Sequence, residues 1–349
     1  MPPPAERNRN GLNGSTVRVQ DVAELAGVSV GTVSNVLNRP DVVRAATVER
    51  VQRAIEQLGF VPNGAARQLR AGRSQILALL VLDVGNPFFT DVARGAEARA
   101  AGEGLVVLLA NSDGSEVREA NHVDLFERQR VRGVMITPVA GDYSRLEQLR
   151  KRGIPVVLVD RGADIANFAS VSVDDVAGGS LAARHLLEIG RRRLAFVGGP
   201  LRIGQVADRF QGASAAVVEH GGATIQMFAT SEMSLDEGRR AGETLRSAVR
   251  EHGIDGIIAA NDLLAIGIER ALLFGSDPIP VPDDVALVGY DDISFAASAV
   301  VPISSVRQPR ELIGATAVEL LLEEAERQAD VKPRHVVFEP ELIVRASTT

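Results

Sequence analysis

From residue 75 onward the chain alternates short apolar runs with helix-like stretches. This alternation limits the fold more than any other feature of the sequence. The runs are ILALLVLDVG, GLVVLLANSD, GVMITPV, IPVVLVDRG, LAFVGGP, GIIAAND and VALVGYDD. Such runs, bounded by loops and separated by helical patterns, are the βαβ rhythm of parallel sheets covered by helices, so the body is α/β. Several runs end in a polar residue where a loop begins: Asp83, Asn111, Asp160, Asn261 and Asp291. In open α/β sheets, ligands sit beyond the carboxyl ends of the strands. These side chains therefore line a pocket or cap the helices that follow, and Asn111 is expected to be a cap.

The first 75 residues read differently. Residues 1–14 are rich in Pro, Asn and Arg and lack the apolar core of a secretory signal, so they are expected to form a disordered lead. Three short helices follow. VQDVAELAG puts Val22, Ala23, Leu25 and Ala26 at helical spacing and stops at Gly27. Ser29 suits the cap of a second helix reaching about Asn38, with Val33, Val36 and Leu37 on its apolar side. After the break at Asn38-Arg39-Pro40-Asp41, a third helix runs from about Ala45 to Leu58 with Val48, Val51 and Ile55, ending at Gly59. Two helices joined by a short Gly-containing turn form either a DNA-binding helix-turn-helix or an ordinary αα-corner. In NGAARQLRAGRS, Asn63 can cap a short helix that is too brief to be stable alone. That segment carries Arg67, Arg70, Arg73 and one apolar residue, Leu69, before a linker at Gly72 and Ser74.

Charge and composition narrow the function. Residues 1–75 hold ten Arg and six acids, net +4, against −7 for the whole chain, which leaves −11 for the rest. A basic head on an acidic body suits contact with a polyanion. A length of 349 residues calls for two or three compact units. With no Cys there is no disulfide, thiolate metal site or Cys nucleophile, which fits a reducing compartment. No apolar run reaches membrane-spanning length. G-x-G-x-x-G and the P-loop are absent, and the five His show no metal spacing. An enzyme is thus the weaker alternative. A solute-binding protein, the other alternative, would need an export signal.

Residues Val19 to Ser74 resemble the DNA-binding head of the LacI/GalR family of bacterial repressors. DVAELAGVSVGTVSNVLN follows that family's signature along its length, and LGFVPNGAARQL resembles its hinge. The body is similar to the family's sugar-binding core, akin to periplasmic binding proteins, through NPFF, VDR, AFVGGP, AAND, VALVGYDD and VRQP. The resemblance spans roughly residues 17–346. It implies an all-α helix-turn-helix head and an α/β core of two Rossmann-like parallel-sheet subdomains. The expected boundaries are a lead at 1–16, the head at 17–61, a hinge helix and linker at 62–74, and the core at 75–349. Subdomain one should take about 75–173 and 304–330, and subdomain two about 174–303 and 331–346, with three chain crossovers.

The resemblance also implies a cytoplasmic transcriptional repressor, homodimeric on palindromic operator DNA and controlled by a small-molecule effector such as a pentose. No cofactor, metal or catalytic residue is expected. The second helix should lie in the major groove, with Val30, Gly31 and Asn35 reading bases. Asn35 can pair with adenine and Val30 can touch a thymine methyl. Gly31 permits close approach, or serves a tight helix crossing. Ser29, Thr32 and Ser34 suit phosphates. In the hinge, Asn63, Arg67 and Arg70 should contact DNA, and Leu69 should wedge into the minor groove, unless it packs on its own body. Arg18 and Arg44 depart from the family's Ser/Thr caps, so a soft head is expected. The effector set is Asn86, Phe88, Phe89, Asp160, Arg161, Arg209, Asn261 and Asp291, with Gln205 near another contact position. Aromatic faces suit sugar C–H groups, and Asp, Asn and Arg suit vicinal hydroxyls. Phe89 suits core packing equally. No Leu heptads follow LIVRAS, so a coiled-coil tetramer is not expected.

Overall fold

The computed structural model describes residues 17–60, 74–139, 141–162, 167–274, 277–327 and 332–349. The chain divides into two units, Met1–Arg73 and Ser74–Thr349. In the first, three helices occupy Val19–Ala26 (α1), Val30–Asn38 (α2) and Ala45–Leu58 (α3). Gly27 closes α1 in the left-handed region at φ 62°, where a side chain would be strained. The Ser29 hydroxyl accepts from Thr32 N at 3.1 Å and caps α2. Val22, Ala23, Ala26, Val33, Val36, Val51 and Ala54 meet in one small core. The missing cap at Arg18 is offset from within the helix: Arg18 N donates to Asp21 Oδ2 at 2.7 Å. Arg44 makes no side-chain cap. The expected hinge residues Asn63, Arg67, Leu69 and Arg70 lie outside the described residues.

The second unit contains two six-stranded sheets. The strands are β1 Ile76–Val81, β2 Val106–Asn111, β3 Gly133–Ile136, β4 Val156–Val159, β5 Ala169–Val173, β6 Arg193–Gly198, β7 Thr224–Ala229, β8 Gly256–Ala259, β9 Ala286–Asp291, β10 Ser304–Arg307, β11 His335–Phe338 and β12 Glu341–Ile343. The helices are α4 Pro87–Ala101, α5 Glu116–Arg128, α6 Ser144–Lys151, α7 Asp175–Glu188, α8 Gly204–His220, α9 Leu235–His252, α10 Asp262–Leu273 and α11 Arg310–Glu326. One sheet runs β11-β5-β4-β3-β1-β2 and the other β12-β10-β9-β8-β6-β7. All pairings are parallel except β10 with β12. The two halves therefore share one winding. In each, the strand order reverses beside the first strand, between β1 and β3 and between β6 and β8. That reversal leaves a crevice at the carboxyl edge.

The strands follow from their composition. β1, β3, β4, β8 and β9 are buried along nearly their whole length, as expected for central strands covered on both faces. Apolar clusters line both faces of the first sheet, one around Leu77, Leu79 and Phe88 and the other around Ala78, Leu80 and Phe126.

The chain passes between the two halves three times: at 174, at 308–309 and at 339–340. Two of these places differ from expectation. Residues 304–307 were expected in subdomain one, yet β10 pairs with β9 in the second sheet. Residues 335–338 were expected in subdomain two, yet β11 pairs with β5 in the first. The reason is edge coverage. β10 and β11 each extend a parallel ladder whose backbone groups would otherwise be unpaired.

Candidate functional site

Two surfaces carry the side chains singled out in the sequence. On α2, Val30, Gly31 and Asn35 are exposed, while Val33 and Val36 face the core. The helix thus shows one face of small and amide side chains. Ser29 and Thr32 join their hydroxyls at 3.0 Å, and Asn38 Nδ2 donates to Ser34 O at 2.7 Å. The Ser29 and Thr32 hydroxyls are thus engaged within the helix itself. A Cβ added at Gly31 would meet only Ser29 Oγ, at 3.6 Å. No helix crossing demands glycine there.

The second surface is the crevice where the carboxyl edges of the two sheets meet. Asn86 caps α4, its Oδ1 accepting from Phe88 N at 3.0 Å. Its Nδ2 donates across the crevice to Asp291 Oδ2 at 3.2 Å. Asp160 follows β4 with φ 55°, and Asp291 ends β9 with φ 97°. Neither caps a helix, and both are aimed by left-handed backbone that is uncommon for a residue with a Cβ. Asn261 does cap a helix, accepting from Leu264 N at 2.9 Å, and its Nδ2 donates to Met233 O at 3.0 Å. Asn111 differs from its expected role. It accepts from Asp113 N inside its own turn, while Ser115 caps α5. Phe88 and Phe89 pack edge to face, with centroids 4.9 Å apart. Both belong to the core of the first half, so core packing is at least part of their work.

Arg209 is the buried cation of the crevice. Its Nε donates to Asp175 Oδ1 at 2.7 Å and its NH1 to Ala260 O at 2.6 Å. The guanidinium lies 3.6 Å from the centroid of the Tyr290 ring and 3.8 Å from Asp291 Oδ1. Close packing of α7 on α8 sets this geometry. A Cβ at Gly179 would collide with the Arg209 carbonyl. Arg161, half-buried, lies against Gly204 at the start of α8. Burial pushes the Asp160 carboxyl up to about 8, with the Asp175 charge adding to the effect. Burial also raises Asp291, against the pull of Arg209.

Four participants were not singled out as site residues from sequence. Gln308 is buried and donates to Asp291 Oδ1 at 2.8 Å. Its signal was the VRQP run. Asp175 and Tyr290 fix Arg209, and their signals were the paired acids after β5 and the GYDD run. Arg310 donates to Asp91 at 2.9 Å and to the carbonyls of Asp291 and Asp292, joining α11 of one half to the other. Gln205, near an expected contact position, donates to Asp160 Oδ2 at 2.9 Å. Asp160 Oδ1 and Gln308 Oε1 are buried with no partner. Buried polar atoms are nearly always paired, so these two oxygens are open hydrogen-bonding positions for a ligand. The described residues contain no cluster of acids and His able to hold a metal. No helix among them is long and apolar enough to cross a membrane.

Both units have counterparts among known proteins. Residues 18–63 match the family described as bacterial regulatory proteins, lacI family, and residues 183–348 match a periplasmic binding protein-like domain. The ribose operon repressor of Halalkalibacterium halodurans is 33% identical over 332 residues, covering 95% of this chain and 96% of that protein. The lac repressor dimer bound to operator and an anti-inducer superposes with a TM-score of 0.80 at 25% identity, covering 96% of this chain and 99% of that one. A lacI-family regulator from Enterococcus faecium with bound ribose superposes at 0.71 and 26% identity, over 78% of this chain and 98% of that one.

Proposed function

The chain belongs to the lacI family of bacterial regulatory proteins, and from that premise we propose that it is a sequence-specific transcriptional repressor whose operator affinity is set by a neutral sugar, a pentose such as ribose, bound between the two sheets. The observation that carries this reading is the crevice itself. Buried carboxyl, amide and guanidinium groups converge there from both halves, and two of their oxygens lack partners. Convergent polar groups among aromatic side chains are the chemistry of polyol recognition. The ribose-bound relative supports the pentose.

In this reading Asn86, Phe88, Phe89, Asp160, Arg161, Arg209, Asn261 and Asp291 contact the sugar, joined by Gln205 and Gln308. Val30, Gly31 and Asn35 meet bases, and Ser29, Thr32 and Ser34 meet phosphates. Asn63, Arg67, Leu69 and Arg70 act in the hinge, with Leu69 as the minor-groove wedge. The unit 1–73 is the DNA-binding part and 74–349 the sensor. The repressor acts in the cytoplasm as a homodimer, because one head reads one half-site and a palindrome mirrors a two-fold protein. It carries out no catalysis and needs no cofactor.

Control follows from the cross-crevice bonds. Asn86–Asp291 and Gln205–Asp160 join the halves using groups that a sugar also needs. A ligand that replaces these bonds shifts the balance between closed arrangements, and that shift is a coupling free energy to the operator. Fluorescence anisotropy on a labelled palindromic operator, with calorimetry against neutral pentoses and hexoses, tests the reading. Binding of one sugar that also changes operator affinity supports it. A chain that binds operator but responds to no neutral sugar sinks the effector assignment.

A further inference from the structure

Arg209 is the one buried basic side chain among the described residues. A buried guanidinium in a binding crevice is the group that a phosphate or carboxylate ligand seeks, since it offers paired N–H donors and a charge. Here that offer is already taken. Asp175 accepts from Nε at 2.7 Å, and both side chains are almost fully buried. Asp175 is not needed to cap α7, because Asp174 does that by accepting from Ala177 N at 2.8 Å.

The other acids facing Arg209 are poorer partners. Asp291 Oδ1 stands off at 3.8 Å, and its carboxylate is occupied by Asn86 and Gln308. Asp160 is bound by Gln205. Burial raises the carboxyls of both, Asp160 to about 8. The direct compensation of Arg209 therefore falls mainly to Asp175, the one of the three acids in hydrogen-bond contact with the guanidinium. Tyr290 covers one face of the guanidinium and supplies no full charge. The remaining cations near the crevice, Arg161 and Arg310, are only part-buried, and Arg310 is paired with Asp91.

We propose that Asp175 is the charge-selectivity residue of the crevice: by neutralising Arg209 it sets the site for uncharged polyols and against anionic sugars such as sugar phosphates or sugar acids. The proposal rests on the crevice being the effector site. An anion entering it must share Arg209 with Asp175 and face the Asp175 charge. A neutral sugar meets a site already balanced.

The test uses the full chain, wild type against Asp175→Asn. The substitution keeps the acceptor oxygen that holds Arg209 and removes only the charge. Thermal stability is followed by circular dichroism with inorganic phosphate, ribose 5-phosphate or gluconate, at ionic strength matched with sodium chloride. In wild type these anions should do no more than the salt. In Asp175→Asn they should give a saturable stabilisation, with affinity for ribose 5-phosphate rising about tenfold or more, as one uncompensated charge-assisted contact warrants. Asp175→Glu should restore the wild-type response, and Asp175→Asn combined with Arg209→Met should abolish the gain. Asp175→Ser serves as the second uncharged variant should the amide not fold. Equal anion responses in wild type and the uncharged variants overturn the proposal, as does a wild type that takes ribose 5-phosphate as tightly as ribose. The anion readout requires no knowledge of the natural effector. A wild type that binds no neutral sugar counts against the sugar reading alone.

Discussion

Gln205 Nε2 donates to Asp160 Oδ2 at 2.9 Å and also to the Asp160 carbonyl, so one side chain of the second half holds both backbone and carboxyl of a strand-end residue in the first. Asp160 sits at φ 55° to receive it. This contact and the 3.2 Å bond from Asn86 to Asp291 are direct joints across the crevice, each made by groups suited to sugar hydroxyls.

Gln205→Ala removes one of these joints and leaves Asp160 with less support. The core should lose about 1–3 kcal/mol, the cost of stranding a buried polar group. Without ligand it should also sample wider separations of its halves. Denaturant unfolding and small-angle scattering check both. An unchanged midpoint with an unchanged radius of gyration would show that the bond does not hold the halves together.

The raised Asp160 carboxyl predicts a pH dependence with a defined sign. The group titrates near 3.8 in the unfolded chain and near 8 in the folded one. Between those values the folded state holds the extra proton, so stability falls as pH rises through the window and levels off above it. Asp262 and Asp291 are raised as well and act in the same sense. Melting temperatures measured between weakly acidic and alkaline buffer should decline in wild type and decline less in Asp160→Asn. Parallel curves would remove Asp160 from the account.

Asp291 accepts from Asn86 and Gln308 and approaches Arg209. Asp291→Ala should keep operator binding in the anisotropy assay, because α2 is untouched. Its response to sugar should be lost, with affinity down by about a hundredfold, the equivalent of roughly 3 kcal/mol for losing a buried hydrogen-bonding group. A normal response would place the effector elsewhere.

Gly31 lies within α2, and a Cβ there would make only an ordinary contact, with Ser29 Oγ at 3.6 Å. Gly31→Ala should therefore stabilise the head by about 0.5–1 kcal/mol, since Gly is the weaker helix former. It should weaken operator binding if the helix seats closely in a groove. A variant that gains stability and binds equally well would show that close approach is not required at this position.

Asn35 is exposed on the same face. Asn35→Ala should cost about 1–3 kcal/mol on the preferred operator and relax choice at a single base pair. Selection of binding sites from a randomised half-site reads this directly. An unchanged preference would mean that Asn35 reads no base.

Much of this was legible in the chain. The seven quoted apolar runs became β1, β2, β3, β4, β6, β8 and β9, and the three head helices closed at Gly27, Asn38 and Gly59 as their caps and glycines indicate. Local propensity and periodicity suffice where a segment buries a continuous apolar stretch. They fail where buried polar residues interrupt it. β5 reads ASVSV and β10 reads SSVR, and their serines look like loop. Three of their four hydroxyls are satisfied from far along the chain: Ser170 by His335 at 2.9 Å, Ser305 by Asp262 at 2.7 Å and Ser304 by Thr348 at 2.7 Å. No local pattern signals such partners.

The sequence by itself determined seven of the strands, the three head helices, the α/β class, the family and the strand ends that carry Asp160, Asn261 and Asp291, because these depend on short-range periodicity and on which residues follow an apolar run. The tertiary structure alone decided which of those strand-end groups are caps and which face the crevice. It also decided where the chain crosses between halves, and that Asp175, Tyr290 and Gln308 join the site. Arg209 acquires its chemistry only when α7, β8 and β9 bring Asp175, Ala260 and Tyr290 around it, and the distances that set its charge balance exist only after the helices have packed.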